Sequence, residues 1–209
     1  YASWQTAYKA HVSKMLSFLG EENTDDKAEA IYNLEKSIAK ISMDRVTQRN
    51  PDTTYNKMSY DELKALNTSI DWDGYFKNAG NITFDSIVVS QPYFYKEIEN
   101  IMSSNSMDTW KDYLKWNLIS SSANYLTDEI SAENFNFYSG TLRGAKEQKP
   151  RWKRAIQSTD RSIGDILGQE YVKVAFSQEA KDQVYEMVDM LQEAYAERIK
   201  GLEWMSEET

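Results

Sequence analysis

The sequence predicts a mainly α fold: a multi-helix, bundle-like domain with at most one or two short β segments, around residues 86–90. Three observations carry that reading. Apolar residues recur at spacings of three and four along most of the chain, which aligns them on one face of a 3.6-residue helix. Helix-start residues (Ser, Thr, Asp, Asn) precede those runs, and glycine often follows them. Only Ser86-Ile87-Val88-Val89-Ser90 reads as a strand, and it is short.

The elements follow in order. Residues 1–19 place Tyr8, Val12, Met15, Leu16 and Leu19 on one stripe, and Gly20 reads as the C-terminal cap. Asn23 or Thr24 caps the next helix, with Asp25 and Asp26 in its first turn, where the helix dipole favours acids. Ile31, Leu34, Ile38 and Ile41 carry that helix to about Gln48. Pro51 removes a donor and pushes Asn50 out of helical space. Ser59 and Glu62 form a capping box for a short helix over 60–66, and Asp71-Trp72-Asp73 opens another that Gly80 ends. Pro92 suits the first turn of a helix carrying Tyr95, Ile98, Ile101 and Met102.

Ser106 caps a helix through Trp110, Leu114, Asn117, Leu118 and Tyr125, and Ser131 starts one holding Phe135, Tyr138 and Leu142, ended near Gly144. After Pro150 a long helix turns Ala155, Ile156, Ile163, Ile166, Leu167, Tyr171 and Val174 inward. Ser177 caps the last, striped by Val184, Val188, Leu191, Tyr195 and Leu202. Ser206-Glu207-Glu208-Thr209 reads as the start of one more helix, so a longer parent is expected. Without repeats, linkers or a visible boundary, 1–209 is read as a single domain.

Composition narrows the function. A chain of 209 residues, 41% hydrophobic and 13% aromatic, buries a sizeable core. Its 24 basic against 33 acidic residues, a net charge of −9, disfavour nucleic acid as a partner. No run of apolar residues is long enough for a membrane span. With no cysteine there is neither a disulfide nor a thiolate metal site. The single histidine, His11, lies between Ala10 and Val12 on a helical pattern and reads as a surface or core-edge residue. Zinc hydrolases use two or three imidazoles plus a carboxylate, so no catalytic and no metal-binding residue is assigned.

Other groupings have plain explanations. The acid pairs Glu21/Glu22, Asp25/Asp26, Asp71/Asp73 and Glu207/Glu208 sit at helix starts, and nothing makes them converge as a glycosidase needs. Arg143, Lys146, Lys149, Arg151, Lys153 and Arg154 surround Trp152, a pattern that an RNA patch shares with an ordinary solvated helix start; the chain's acidity favours the latter. Asn67-Thr68-Ser69 and Asn81-Ile82-Thr83 match the N-glycosylation triplet, which arises often by chance. GxxxxGK[ST], GxGxxG, GxSxG and HExxH are absent.

The order of short motifs is more specific than any one of them. Arg49-Asn50-Pro51 with Tyr55-Asn56-Lys57-Met58, Ile70-Asp71-Trp72, Ile87-Val88-Val89 before Pro92-Tyr93, and Tyr113-Leu114-Lys115-Trp116 come first. Arg151-Trp152, Leu167-Gly168-Gln169-Glu170-Tyr171-Val172 with Ala175-Phe176, and Leu202-Glu203-Trp204-Met205 follow. In that order and rough spacing the chain resembles the neprilysin / endothelin-converting-enzyme family of zinc metallopeptidases (peptidase family M13, bacterial type) along its whole length, in the helical part upstream of the zinc site.

The resemblance implies a thermolysin-like catalytic domain facing a largely helical one across a large cavity. It implies that the helical part restricts cleavage to small peptides, and that the zinc-binding HExxH, the downstream Glu ligand and the Asn-Ala peptide-binding motif lie outside these residues. Zinc would then belong to the full-length parent, and this segment alone would be inactive. Its partners would be the catalytic domain of the same polypeptide and, in the parent, peptide substrates. Asn50, Pro51, Tyr55, Asn56, Trp72, Arg151, Trp152, Gly168, Tyr171 and Trp204 carry the family motif as structural residues. Mammalian relatives carry disulfides, and the lack of cysteine here points to an exported bacterial homologue, periplasmic or at the cell surface, with a lipoprotein among the forms open to it. The competing reading is a stand-alone exported helical module that binds peptides or ligands with its aromatic residues. For the corner at Asn50–Asn56 the expectation is structural: both Asn side chains bond backbone groups in the turn, and Tyr55 packs below.

Overall fold

The computed structural model describes residues 2–206 and 208. Ten α-helices, two 3₁₀ turns, a π-helical segment and two three-residue strands make up the regular structure among them, so the fold is mainly α as predicted. The chain divides into two compact units, residues 1–148 and 149–209.

The first unit has two small cores. Helix α1 (Ala2–Ser17) packs on α2 (Thr24–Ile41), α7 (Met107–Ser122) and α8 (Asp128–Phe135). Val12, Met15 and Leu16 of the predicted α1 stripe are fully buried there with Ile31, Ile119 and Ala123, whereas Leu19 is exposed. Gly20 takes a positive φ of 76° at the end of that helix, a conformation that side chains other than glycine's resist. Glu21 just beyond it bonds both Lys27 of α2 and Lys115 of α7, and Asp112 lies 3.4 Å from Lys27, so one charge network fastens three elements.

Helix α2 ends at Ile41, not near Gln48. Ser42 turns extended and returns its hydroxyl to Ile38 O at 2.8 Å, and the Met43 amide donates to Gln91 Oε1 at 2.7 Å. Asp44 then accepts from the Val46 and Thr47 amides at 2.8 and 3.0 Å, a side chain-to-backbone turn that competes with helix. A 3₁₀ turn over Thr47–Arg49 and the four-residue α3 (Pro51–Thr54) complete the corner.

The second core follows. Strand β1 (Lys57–Ser59) pairs antiparallel with β2 (Ser86–Val88), Met58 opposite Ile87. The predicted capping box starts α4 (Tyr60–Leu66): the Glu62 amide donates to Ser59 Oγ, and the Ser59 amide donates to Glu62 Oε2 at 2.7 Å. Asp71 caps α5 (Trp72–Asn78) with a 2.9 Å bond from the Gly74 amide. Leu63, Trp72 and Val89 form the buried centre, and α6 (Pro92–Ser104), with Pro92 in its first turn, leans its Tyr95 on it.

The face of α7 and the start of α8 differ from those predicted. Leu114 and Leu118 on α7 and Tyr125 in the 3₁₀ turn after it (Ala123–Tyr125) are exposed, and Trp116, Ile119 and Ala123 are buried instead. Both stripes have helical spacing; contact with α1 decides between them. Thr127 caps α8, its hydroxyl accepting from the Ile130 amide, while Ser131 is buried inside the helix. A π-helical segment, Asn136–Thr141, continues it.

The second unit holds α9 (Arg151–Ala175) and α10 (Gln178–Lys200). Helix α9 bends at Ile163 (φ −137°, ψ 31°), next to Gly164. Ser177 caps α10, accepting from the Ala180 amide at 3.2 Å. The predicted inward residues are exposed on both helices, among them Ile156, Ile166, Tyr171, Val184, Leu191 and Tyr195, with Val174 at 90%. The helix start expected at 206–209 rests on Glu207 and Thr209, outside the described residues.

Candidate functional site

The Asn50–Asn56 corner and the groove beside it are built from the first unit alone. Asn50 caps α3: its Oδ1 accepts from the Asp52 amide at 3.0 Å, and Pro51 fills the first helical position, where no donor is needed. Asn56 does more. Its amide nitrogen donates to Thr53 O at 2.9 Å and to Val89 O at 3.1 Å, while its backbone carbonyl accepts from the Val89 amide at 2.9 Å. One side chain thus closes the turn and ties it to the end of β2. Tyr55 does not pack below; it is 64% exposed, because the turn directs it outward once Asn56 faces the strand.

Trp72 is 7% exposed, and its indole nitrogen donates to Asn67 O at 3.1 Å. Asn67 itself is 1% exposed; its amide nitrogen donates to Tyr95 O at 2.9 Å, and its Oδ1 accepts from the Ser69 amide at 2.9 Å. That satisfied, buried amide organises the site and is closed to any modifying enzyme, although the sequence offers it only as a glycosylation triplet. The other triplet residue, Asn81, is exposed with φ 55°.

Beside Trp72 lies an open groove of about 590 Å³, lined by Ile70, Tyr75, Phe76, Val88, Gln91 and Phe94 among others. A smaller one, about 350 Å³, runs past Tyr60, Asp73 and Phe84. Tyr60 donates to Asp73 Oδ1 at 2.5 Å, and that bond to a carboxylate pushes its phenol up to about 12. The larger groove is mostly apolar, with no Asp, Glu, His, Lys or Arg among its lining residues, so it can grip apolar side chains.

The remaining motif residues belong to the second unit. Arg151 and Trp152 open α9, with the Lys153 ammonium 5.2 Å from the Trp152 ring centre. Gly168 has open space where a Cβ would stand, and Tyr171 and Trp204 are exposed.

Zinc, which the resemblance implies for the parent, finds no converging set of donors among the described residues. Zinc needs three or four converging N, S or O ligands. Among the described residues no three His, Cys, Asp or Glu side chains come together in that way. His11 is 2% exposed, deeper than a core-edge residue, and its Nδ1 is engaged by Glu133 Oε1 at 2.7 Å.

Comparison with known proteins follows from this architecture. The rat endothelin-converting enzyme 1 (Rattus norvegicus) is 23% identical over 206 residues, which cover 97% of this chain and 27% of the relative. The Mycobacterium tuberculosis zinc metalloprotease Zmp1, solved with an inhibitor, superposes with a TM-score of 0.84 at 31% identity, over 99% of this chain and 32% of that one. PepO of Lactobacillus rhamnosis gives the same TM-score at 20% identity over 99% of this chain and 33% of that chain, a likeness of fold. The chain therefore spans about a third or less of the proteins it matches. The sequence profile described as peptidase family M13 matches residues 1–209, so the chain belongs to peptidase family M13, in the N-terminal portion of that family.

Proposed function

We propose that residues 1–209 are the helical, non-catalytic wall of a zinc-dependent metalloendopeptidase, enclosing the reaction chamber and admitting only small peptides. The observation that carries this reading is coverage: the match takes in 99% of this chain but 32% of a zinc metalloprotease. The parent's zinc, its ligands and the water it activates then lie in the rest of the polypeptide, and that catalytic portion is the principal partner of this one. Two further observations support it. The chain's single imidazole is spent in a buried hydrogen bond, and the apolar stripes of α9 and α10 are exposed. In this reading those stripes are covered in the parent, and 1–209 acts as one domain within it. No helix is long and apolar enough to cross a membrane among the described residues. We place the parent in a bacterium, exported to the periplasm or cell surface.

Cleavage of peptides of increasing length by the full polypeptide tests the size filter. Efficiency should fall steeply from short peptides to long unfolded chains. Equal cleavage of both would remove the wall's proposed role while leaving family membership intact.

A further inference from the structure

His11 lies inside a ring of aromatic side chains. Phe137 stacks on it with centroids 4.5 Å apart and planes 10° from parallel, while Trp116 and Tyr138 meet it edge-on at 5.5 Å each. Two of those rings, the consecutive Phe137 and Tyr138, come from the π-helical Asn136–Thr141. Such a segment is a rare variant of helix. Beyond it, residues 145–150 carry no regular structure.

The polar atoms of the imidazole are unevenly served. Nδ1 lies 2.7 Å from Glu133 Oε1, whereas the buried Nε2 has no hydrogen-bond partner. A neutral ring suits this geometry: Nδ1–H donates to the carboxylate, and Nε2 keeps only a lone pair. A second proton would create an N–H on Nε2 with nothing to accept it, buried among rings. We propose that His11 is an acid-sensitive latch, closed when neutral, whose protonation releases the π-helical segment 136–141 from α1 while the rest of the first unit stays folded.

On α1 itself, Lys9 is paired with Glu29 and Lys14 lies over the Phe18 ring. From α8 comes Glu133 alone at bonding distance. From α2 comes Glu35, which accepts the Tyr8 hydroxyl at 2.5 Å and the Trp116 indole N–H at 3.3 Å. On α7, Asp112 and Lys115 are engaged with Lys27 and Glu21. The π-helical segment adds only the Tyr138 phenol. Burial lowers the His11 pKa below its ordinary 6.5, against a smaller upward pull from Glu133. The open form therefore takes up the proton first. The latch is whole above pH 6.5 and weakens as pH falls towards the lowered value. None of this rests on the peptidase reading.

Because the chain has one histidine, its imidazole is an unambiguous reporter in an NMR titration of the 209-residue chain. The expected midpoint lies below 6.5, and over the same range amide exchange at 137–141 accelerates by about tenfold per pH unit relative to Val89 in the second core. Glu133→Gln keeps an acceptor, removes the charge and should move both midpoints down together. His11→Phe should hold 137–141 closed throughout. A midpoint at or above 6.5 overturns the latch, as does exchange that stays flat or that rises equally across the first unit. If His11→Phe fails to fold, the wild-type and Glu133→Gln titrations still decide.

Discussion

Asn56 shows how much one side chain does at the corner. Replacing it with Ala removes two hydrogen bonds, to Thr53 O and Val89 O, and leaves both carbonyls to find other partners. Asn56→Ala should lower stability by about 1–2 kcal/mol in urea melts without changing the zinc content of the parent. An unchanged melt with an altered peptide preference would instead make the corner a substrate contact. Tyr55→Ala, at an exposed position, should stay within about 0.5 kcal/mol of wild type. An asparagine beside Pro51 announces a turn in the sequence, so the cap at Asn50 was legible, whereas the tie from Asn56 to Val89 O, 33 residues away, was not. Asn67 was not, because its role depends on a carbonyl supplied by Tyr95 of a separate helix. The burial of His11 was equally hidden, since a flanking Ala and Val do not reveal which rings will close over it.

Among elements, caps were easier to read than faces. Ser59, Asp71, Ser106 and Ser177 each cap as their positions suggest, because that chemistry is local. Ser59→Ala should cost about 1 kcal/mol in thermal or urea unfolding, and a change of a few tenths would mean that α4 is held by packing alone. The buried face of α7 and the end of α2 depend on distant partners, α1 and Gln91, so spacing misjudged both. The Glu21 network has a pH signature. Lys115 and Lys27 hold the Glu21 carboxyl at about 2, below its ordinary 4.5. Its contribution is fully present above pH 4.5 and is lost as pH falls towards 2, where the unfolded chain takes up the proton first. The urea midpoint should fall across that window, and Glu21→Gln should flatten the slope; an equal slope in the variant would assign it to other carboxylates.

At the scale of the whole molecule, the amphipathic pattern of α9 and α10 was read correctly as amphipathic but not as buried. Periodicity reports that a face is apolar and cannot say what covers it. Exposed apolar stripes of this length drive association in water, so the 209-residue chain should self-associate as its concentration rises, read by light scattering. A strictly monomeric species at high concentration would mean that these stripes need no partner. The family was legible because its motifs are spread in order from Asn50 to Trp204. The most direct test of the non-catalytic wall is metal analysis and a peptide-cleavage assay on the purified 209-residue chain with added zinc. The account predicts no retained stoichiometric zinc and no chelator-sensitive cleavage; zinc held by these residues together with cleavage that a chelator blocks would contradict it.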